Sequence, residues 1–139
     1  MIRTEFEQWL QDFYQARLSN DVERCMRFFT AQSTFRLAGS AKTSSIARAS
    51  DTLSAIREQV TELIRVWTWK KIDTYNVIVD GDTAAVRYQL TAVFNPSGEL
   101  FTTEIVDVAK VSAHKIVEFH QFVDTAAVDR LVARAHAAE

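Results

Sequence analysis

The hydrophobic period of this chain changes at Trp67, and that change restricts the folds open to it more than any other feature. Upstream, apolar side chains recur every three or four residues, as in a helix buried along one stripe. Phe6, Trp9, Leu10, Phe13, Tyr14 and Leu18 form the first stripe, over residues 3–19. Ser19-Asn20-Asp21 then breaks the helix and caps a second, short one with Val22, Cys25, Met26 and Phe29 inward. Residues 33–37 read as a short strand with Phe35 and Leu37 on one face. The small, polar run from Ala38 to Ser50 reads as a loop and a candidate lid. Ser50 or Asp51 can cap a third helix running to about Val66, striped by Leu53, Ile56, Val60, Leu63 and Ile64.

From Trp67 the alternation by two puts Trp67, Trp69, Lys71, Asp73 and Tyr75 on one face of a strand over residues 67–79. Asp80-Gly81-Asp82 is a hairpin signal, and the return strand over 83–94 ends at the turn Asn95-Pro96-Ser97-Gly98. Strands over 101–112 and 115–123 follow, and Asp124-Thr125 caps a last helix over 125–136. Helices gathered against one antiparallel sheet make an α+β domain. The expectation is a single domain over 1–139, with a curved sheet (a four-strand meander plus a short strand) packed on three N-terminal helices. Both parities of the late strands are apolar: Ile105, Ala109 and Phe119 on one, Val106, Val108 and Phe122 on the other. One face meets the helices, so the other is expected to meet a second copy, giving a homodimer through the outer sheet face.

Composition narrows the function classes. Sixteen Lys+Arg against 18 Asp+Glu leave a net charge of −2 with no basic block, which argues against nucleic-acid binding. A single cysteine, Cys25, excludes an internal disulfide and any cysteine-based metal cluster, and it reads as a small buried hydrophobe. The three histidines and the carboxylates show no metal-ligand spacing, so no metal is expected, and no Gly-rich phosphate loop implies a nucleotide cofactor. No leader-like or membrane-length apolar run is present, so the expectation is a cytoplasmic protein without membrane partners.

Asp107 is the oddity of the late strands, a carboxylate within Ile105, Val106, Val108, Ala109 and Val111. Such a group must find a partner, shift its pKa or reach solvent through a cavity. If Ile105, Asp107 and Ala109 share the inner face, then Tyr88, Leu90, Phe119 and Gln121 are its neighbours, and His120 faces outward. Trp9, Phe13, Trp67, Trp69, Tyr75 and Tyr88 are candidates to line an aromatic cavity, and Arg36 and Lys71 are candidate cations at its rim for an anionic group.

The helix pair, the phrase RFFTAQSTFRLAGS, the helix over 51–66 and above all the ending KIVEFHQFVDTAAV resemble the nuclear transport factor 2-like superfamily. Within it the chain is most similar to the SnoaL-like polyketide cyclase and ketosteroid isomerase branch. The resemblance covers essentially the whole chain and implies a cone-shaped pocket between sheet and helices. It places the oxyanion-hole aspartate of ketosteroid isomerases on Asp107, their helix-one tyrosine on Phe13 beside Tyr14, and their general base on Leu37. The acids and arginine of the fold's epoxide hydrolases fall on Leu90, Ala92 and Gln121, and relatives with this tail often carry an acid at the last position. Steroid isomerisation and epoxide hydrolysis are therefore not expected. The resemblance implies a binder of a small hydrophobic or carbonyl-containing molecule, without cofactor, possessing acid/base chemistry if any. Asp107 and Tyr14 are the catalytic candidates. Trp9, Phe13, Phe35, Leu37, Trp67, Trp69, Tyr88, Leu90, Ile105, Phe119 and Gln121 are the ligand-binding ones. A non-catalytic binder or sensor, and an interaction module using the sheet face, stand as alternatives.

Overall fold

The computed structural model describes residues 1–138. Its elements, in chain order, are α1 (Arg3–Leu18), α2 (Val22–Met26), β1 (Thr34–Leu37), β2 (Arg48–Ser50), α3 (Leu53–Val66), β3 (Trp67–Asp80), β4 (Thr83–Phe94), β5 (Glu99–Ser112), β6 (Lys115–Phe122) and α4 (Thr125–Ala137). The sheet has six strands in the order β2-β1-β6-β5-β4-β3, antiparallel throughout except where β1 runs parallel to β6. This is the expected α+β architecture, with the meander β3–β6 as its body.

Three local expectations are corrected. Residues 48–50, expected within a loop, form β2 and pair with β1 through Phe35 and Ser50. The cap of α3 is neither Ser50 nor Asp51 but Thr52, whose side chain accepts from the Ala55 N–H. The alternation expected along β3 is broken by two bulges, between Trp69 and Lys71 and between Thr74 and Asn76. Each inserts one residue, and a one-residue slip exchanges the faces. Trp67 and Trp69 therefore share the inner face with Ile72 and Val77, while Lys71, Asp73 and Tyr75 turn outward.

The inner face and the helices form one core. Register runs Leu37–Gln121–Asp107–Val86 across β1, β6, β5 and β4, and Phe35–Phe119–Ala109–Ala84 one row further along. Every member of both rows is buried. At the β5–β6 end of the core, Trp9 stacks on Phe13 with centroids 5.5 Å apart, and Phe119 lies between Phe13 and Phe35. The Trp9 indole N–H donates to the His114 carbonyl at 2.9 Å, pinning α1 to the β5–β6 turn.

Candidate functional site

Asp107 is fully buried in the middle of the inner face. Its neighbours come from three other elements. Tyr14 projects from α1 and donates its hydroxyl to Oδ2 at 2.6 Å, and Tyr88 on β4 donates to the same oxygen at 2.7 Å. Gln121 on β6 donates its amide to Oδ1 at 3.0 Å and approaches the Tyr88 hydroxyl at 3.3 Å. The two phenol rings meet at 5.3 Å. A 100° step around the helix separates Phe13 from Tyr14, and it divides their work: Phe13 joins the aromatic core while Tyr14 reaches the carboxylate.

Burial dominates the electrostatics. It pushes the Asp107 carboxyl up to about 6, against the pull of the bonds from Tyr14, Tyr88 and Gln121 and of the Arg17 charge. Both phenols are held well above their usual range, first by burial and then by the Asp107 charge beside them. They are proton-holding donors, and the carboxyl is the member that titrates near neutrality.

Arg17 was not among the expected site residues. It lies three residues after Tyr14 on α1, hence on the same side of the helix, and is only 9% exposed. Its guanidinium stacks on the Trp69 ring at 4.1 Å, and Trp69 in turn lies 6.2 Å from Tyr88. The expected rim cations point elsewhere. Arg36 is exposed on the outer face beside His120, and Lys71 pairs there with Asp73. Its spacing from Phe13 and Tyr14 continues the helical stripe, but a last-turn arginine equally suits a solvated place beside the helix dipole, so the sequence alone does not separate the two.

The open space is next to this cluster rather than around it. A cavity of about 810 Å³ lies between α3, α4 and the segment 45–48, with Leu37, Leu63, Trp67, Phe94 and Val128 among its apolar walls and Arg48, Arg65 and His136 among its polar ones. Of the expected ligand-binding residues it touches Leu37 and Trp67. Trp9, Phe13, Phe35 and Phe119 belong to the aromatic core, Leu90 and Ile105 are buried in the inner face, and Trp69 is covered by Arg17. Leu37 is the shared wall, lining the cavity and standing in register with Gln121.

Residues 10–119 match the SnoaL-like domain family. The chain belongs to that family. Solved structures of the same fold include an NTF2-like protein from Burkholderia thailandensis, with 24% identity, 93% of this chain and 95% of that one covered, and a TM-score of 0.70. A Bacillus subtilis protein assigned provisionally as an isomerase is 14% identical, with 93% and 95% covered and a TM-score of 0.80. A Jannaschia protein assigned provisionally as a SnoaL-like polyketide cyclase is 17% identical, with 88% and 87% covered and a TM-score of 0.71. Among curated proteins none matches this sequence. No helix of the SnoaL-like chain is long and apolar enough to cross a membrane among the described residues.

Proposed function

We propose that this SnoaL-like protein binds a flat, hydrophobic carbonyl compound of polyketide type and performs acid/base chemistry on it, with Asp107 as the proton carrier and Tyr14 as the assisting donor. The carrying observation is the fully buried Asp107 carboxyl, raised to about 6 and bonded to two phenols on one oxygen. A carboxyl titrating close to neutrality can both take and return a proton. A proton inventory gives the cycle. With Asp107 ionised, both phenolic protons point at Oδ2 and none is free. Once Asp107 takes a proton from the carbon next to a ligand carbonyl, three O–H groups share the cluster. One of them is released to stabilise the enolate oxygen.

The ligand occupies the cavity under α3 and α4, and Leu37, in register with Gln121, is the wall this cavity shares with the cluster. Of the other expected ligand-binding residues Trp67 lines that cavity, while Trp9, Phe13, Phe35, Trp69, Tyr88, Leu90, Ile105 and Phe119 pack in the core around the cluster. One observation favours a non-catalytic binder instead: among the described residues no second carboxylate joins the cluster, and Gln121, which cannot act as a base, stands where an acid is common among relatives.

Benzoylacetone, an enolisable aromatic diketone, separates the readings. Catalysis predicts faster exchange of its central C–H protons in D2O, reduced about a hundredfold or more in Asp107→Asn while binding persists. Binding without acceleration leaves the non-catalytic reading. Neither binding nor acceleration removes the pocket reading altogether.

A further inference from the structure

We propose that Arg17 is the anion-recognition residue of this pocket, so that the preferred ligand carries a carboxylate or a comparable oxygen anion beside its flat apolar body. The inference rests on the reading of the Asp107 cluster as the ligand site and names the class of compound the site selects.

The first observation is an incomplete inventory around a buried charge. Arg17 is 9% exposed, and its Nη1 is sealed from solvent with no hydrogen-bond partner among the described residues. The guanidinium carries five donors and no acceptor. Other arginines, among them Arg3, Arg48, Arg57, Arg65, Arg87 and Arg134, stand in ion pairs at the surface. Arg17 joins none. Its charge acts on Asp107 without a direct bond, and a buried cation that lacks a direct pair costs several kcal/mol in order of magnitude, so its retention needs a cause.

The local surroundings hold the group without satisfying it. The last turn of α1 favours a cation, and the Trp69 face supplies a cation–π contact. Neither provides an acceptor for Nη1. Cys25, whose thiol is packed nearby and donates to the Ala16 carbonyl at 3.4 Å, provides no charge. Asp107 is the carboxylate of the cluster, but Tyr14, Tyr88 and Gln121 occupy its oxygens.

The second observation is that the stack is built to stay where it is. Asn20, held at φ 54° in the turn after α1, donates to the Trp69 carbonyl at 3.1 Å and accepts the Trp69 N–H at 2.9 Å. Both backbone groups of Trp69 are thereby tied to the end of α1 that carries Arg17. Trp69 pairs with the inward-facing Ala92, ahead of the bulge, so its ring points inward. Trp67, two residues earlier on the same face, lines the cavity. Arg17 does not itself line the cavity; it stands beside the Asp107 cluster, and there a fixed, desolvated guanidinium rewards an anion and leaves a neutral compound unrewarded.

The test titrates the full chain with benzoate and with benzamide, its neutral isostere, following tryptophan fluorescence and checking by calorimetry. The expected result is benzoate bound about tenfold or more tightly than benzamide, consistent with a charge-assisted pair. In Arg17→Met the preference for benzoate over benzamide falls to about one, and Arg17→Lys keeps a reduced preference. Equal affinities in the unaltered protein, or a preference that survives Arg17→Met, overturn the assignment of Arg17 and leave the pocket reading standing. Failure of both compounds and of benzoylacetone to bind overturns the pocket reading and this inference with it. Should Arg17→Met not fold by circular dichroism, the comparison in the unaltered protein and in Arg17→Lys decides.

Discussion

At the scale of single residues, Asp107 makes stability depend on pH in the opposite sense to a paired surface carboxylate. Its folded pKa is raised from 3.8 to about 6, so between those values the folded state holds a proton that the unfolded chain releases. The stabilisation is complete below about pH 4 and is lost as pH rises through about 6. At about 1.4 kcal/mol per unit the loss is on the order of 3 kcal/mol. Urea unfolding from pH 4 to 8 should show that decline in the unaltered protein relative to Asp107→Asn, whose difference curve removes the other carboxylates. A difference flat with pH would mean that the carboxyl titrates normally. Asp107 could be singled out from the chain alone because a carboxylate in an apolar strand violates the local pattern. Arg17 could not, because nothing in a lone arginine at a helix end distinguishes a guanidinium stacked indoors from one in water.

At the scale of elements, the helices and the hairpins followed directly from their patterns, whereas β3 did not. Bulges leave no sequence signature in a run such as Trp67–Asp80, where Thr, Lys and Asp suit either face. The two slips in β3 therefore surfaced only in its pairing with β4. The β5–β6 turn carries a different kind of hidden cost. Ser112 pairs with Lys115, leaving Ala113 and His114 as a two-residue loop, both at positive φ (51° and 62°). That geometry suits the twist of a hairpin but favours Gly or Asn over residues with a bulkier Cβ. His114→Gly should stabilise the fold by about 0.5 to 1 kcal/mol, after the added freedom of the unfolded chain is subtracted. The Trp9 bond survives because it uses the His114 carbonyl. A higher urea midpoint at unchanged slope is the expected readout; a lower midpoint would show that the imidazole contributes more than the turn costs.

At the scale of the whole molecule, the outer face of the sheet is what the helices leave uncovered. Val106 pairs across to Phe122, and Val108 lies between Ala85 and His120, continuing to Ile78 on β3. Phe122 is 45% exposed and Ile78 61%, so the patch is continuous and wet in one chain. The strands β3 to β6, with 14, 12, 14 and 8 residues at about 3.3 Å per residue and about 4.8 Å spacing, present roughly 760 Å² before side-chain relief. A stable interface needs about 800 Å² from each partner, and apolar patches of several hundred Å² mark contact surfaces. A net charge of −2 puts little repulsion in the way. We therefore expect a homodimer through this face, and expect Phe122→Lys to convert it to a monomer, since a symmetric contact buries the new charge twice. Light scattering at micromolar concentration should give twice the chain mass for the unaltered protein and the chain mass for the variant. A monomer in the unaltered protein would leave the outer face without its partner and remove the dimer. A dimer that survives Phe122→Lys would move the contact to another surface. Benzoate affinity in a monomeric variant carries the separate information whether each pocket works alone. Because Asp107, Tyr14, Tyr88, Gln121 and Arg17 all come from one chain, binding per chain should be unchanged.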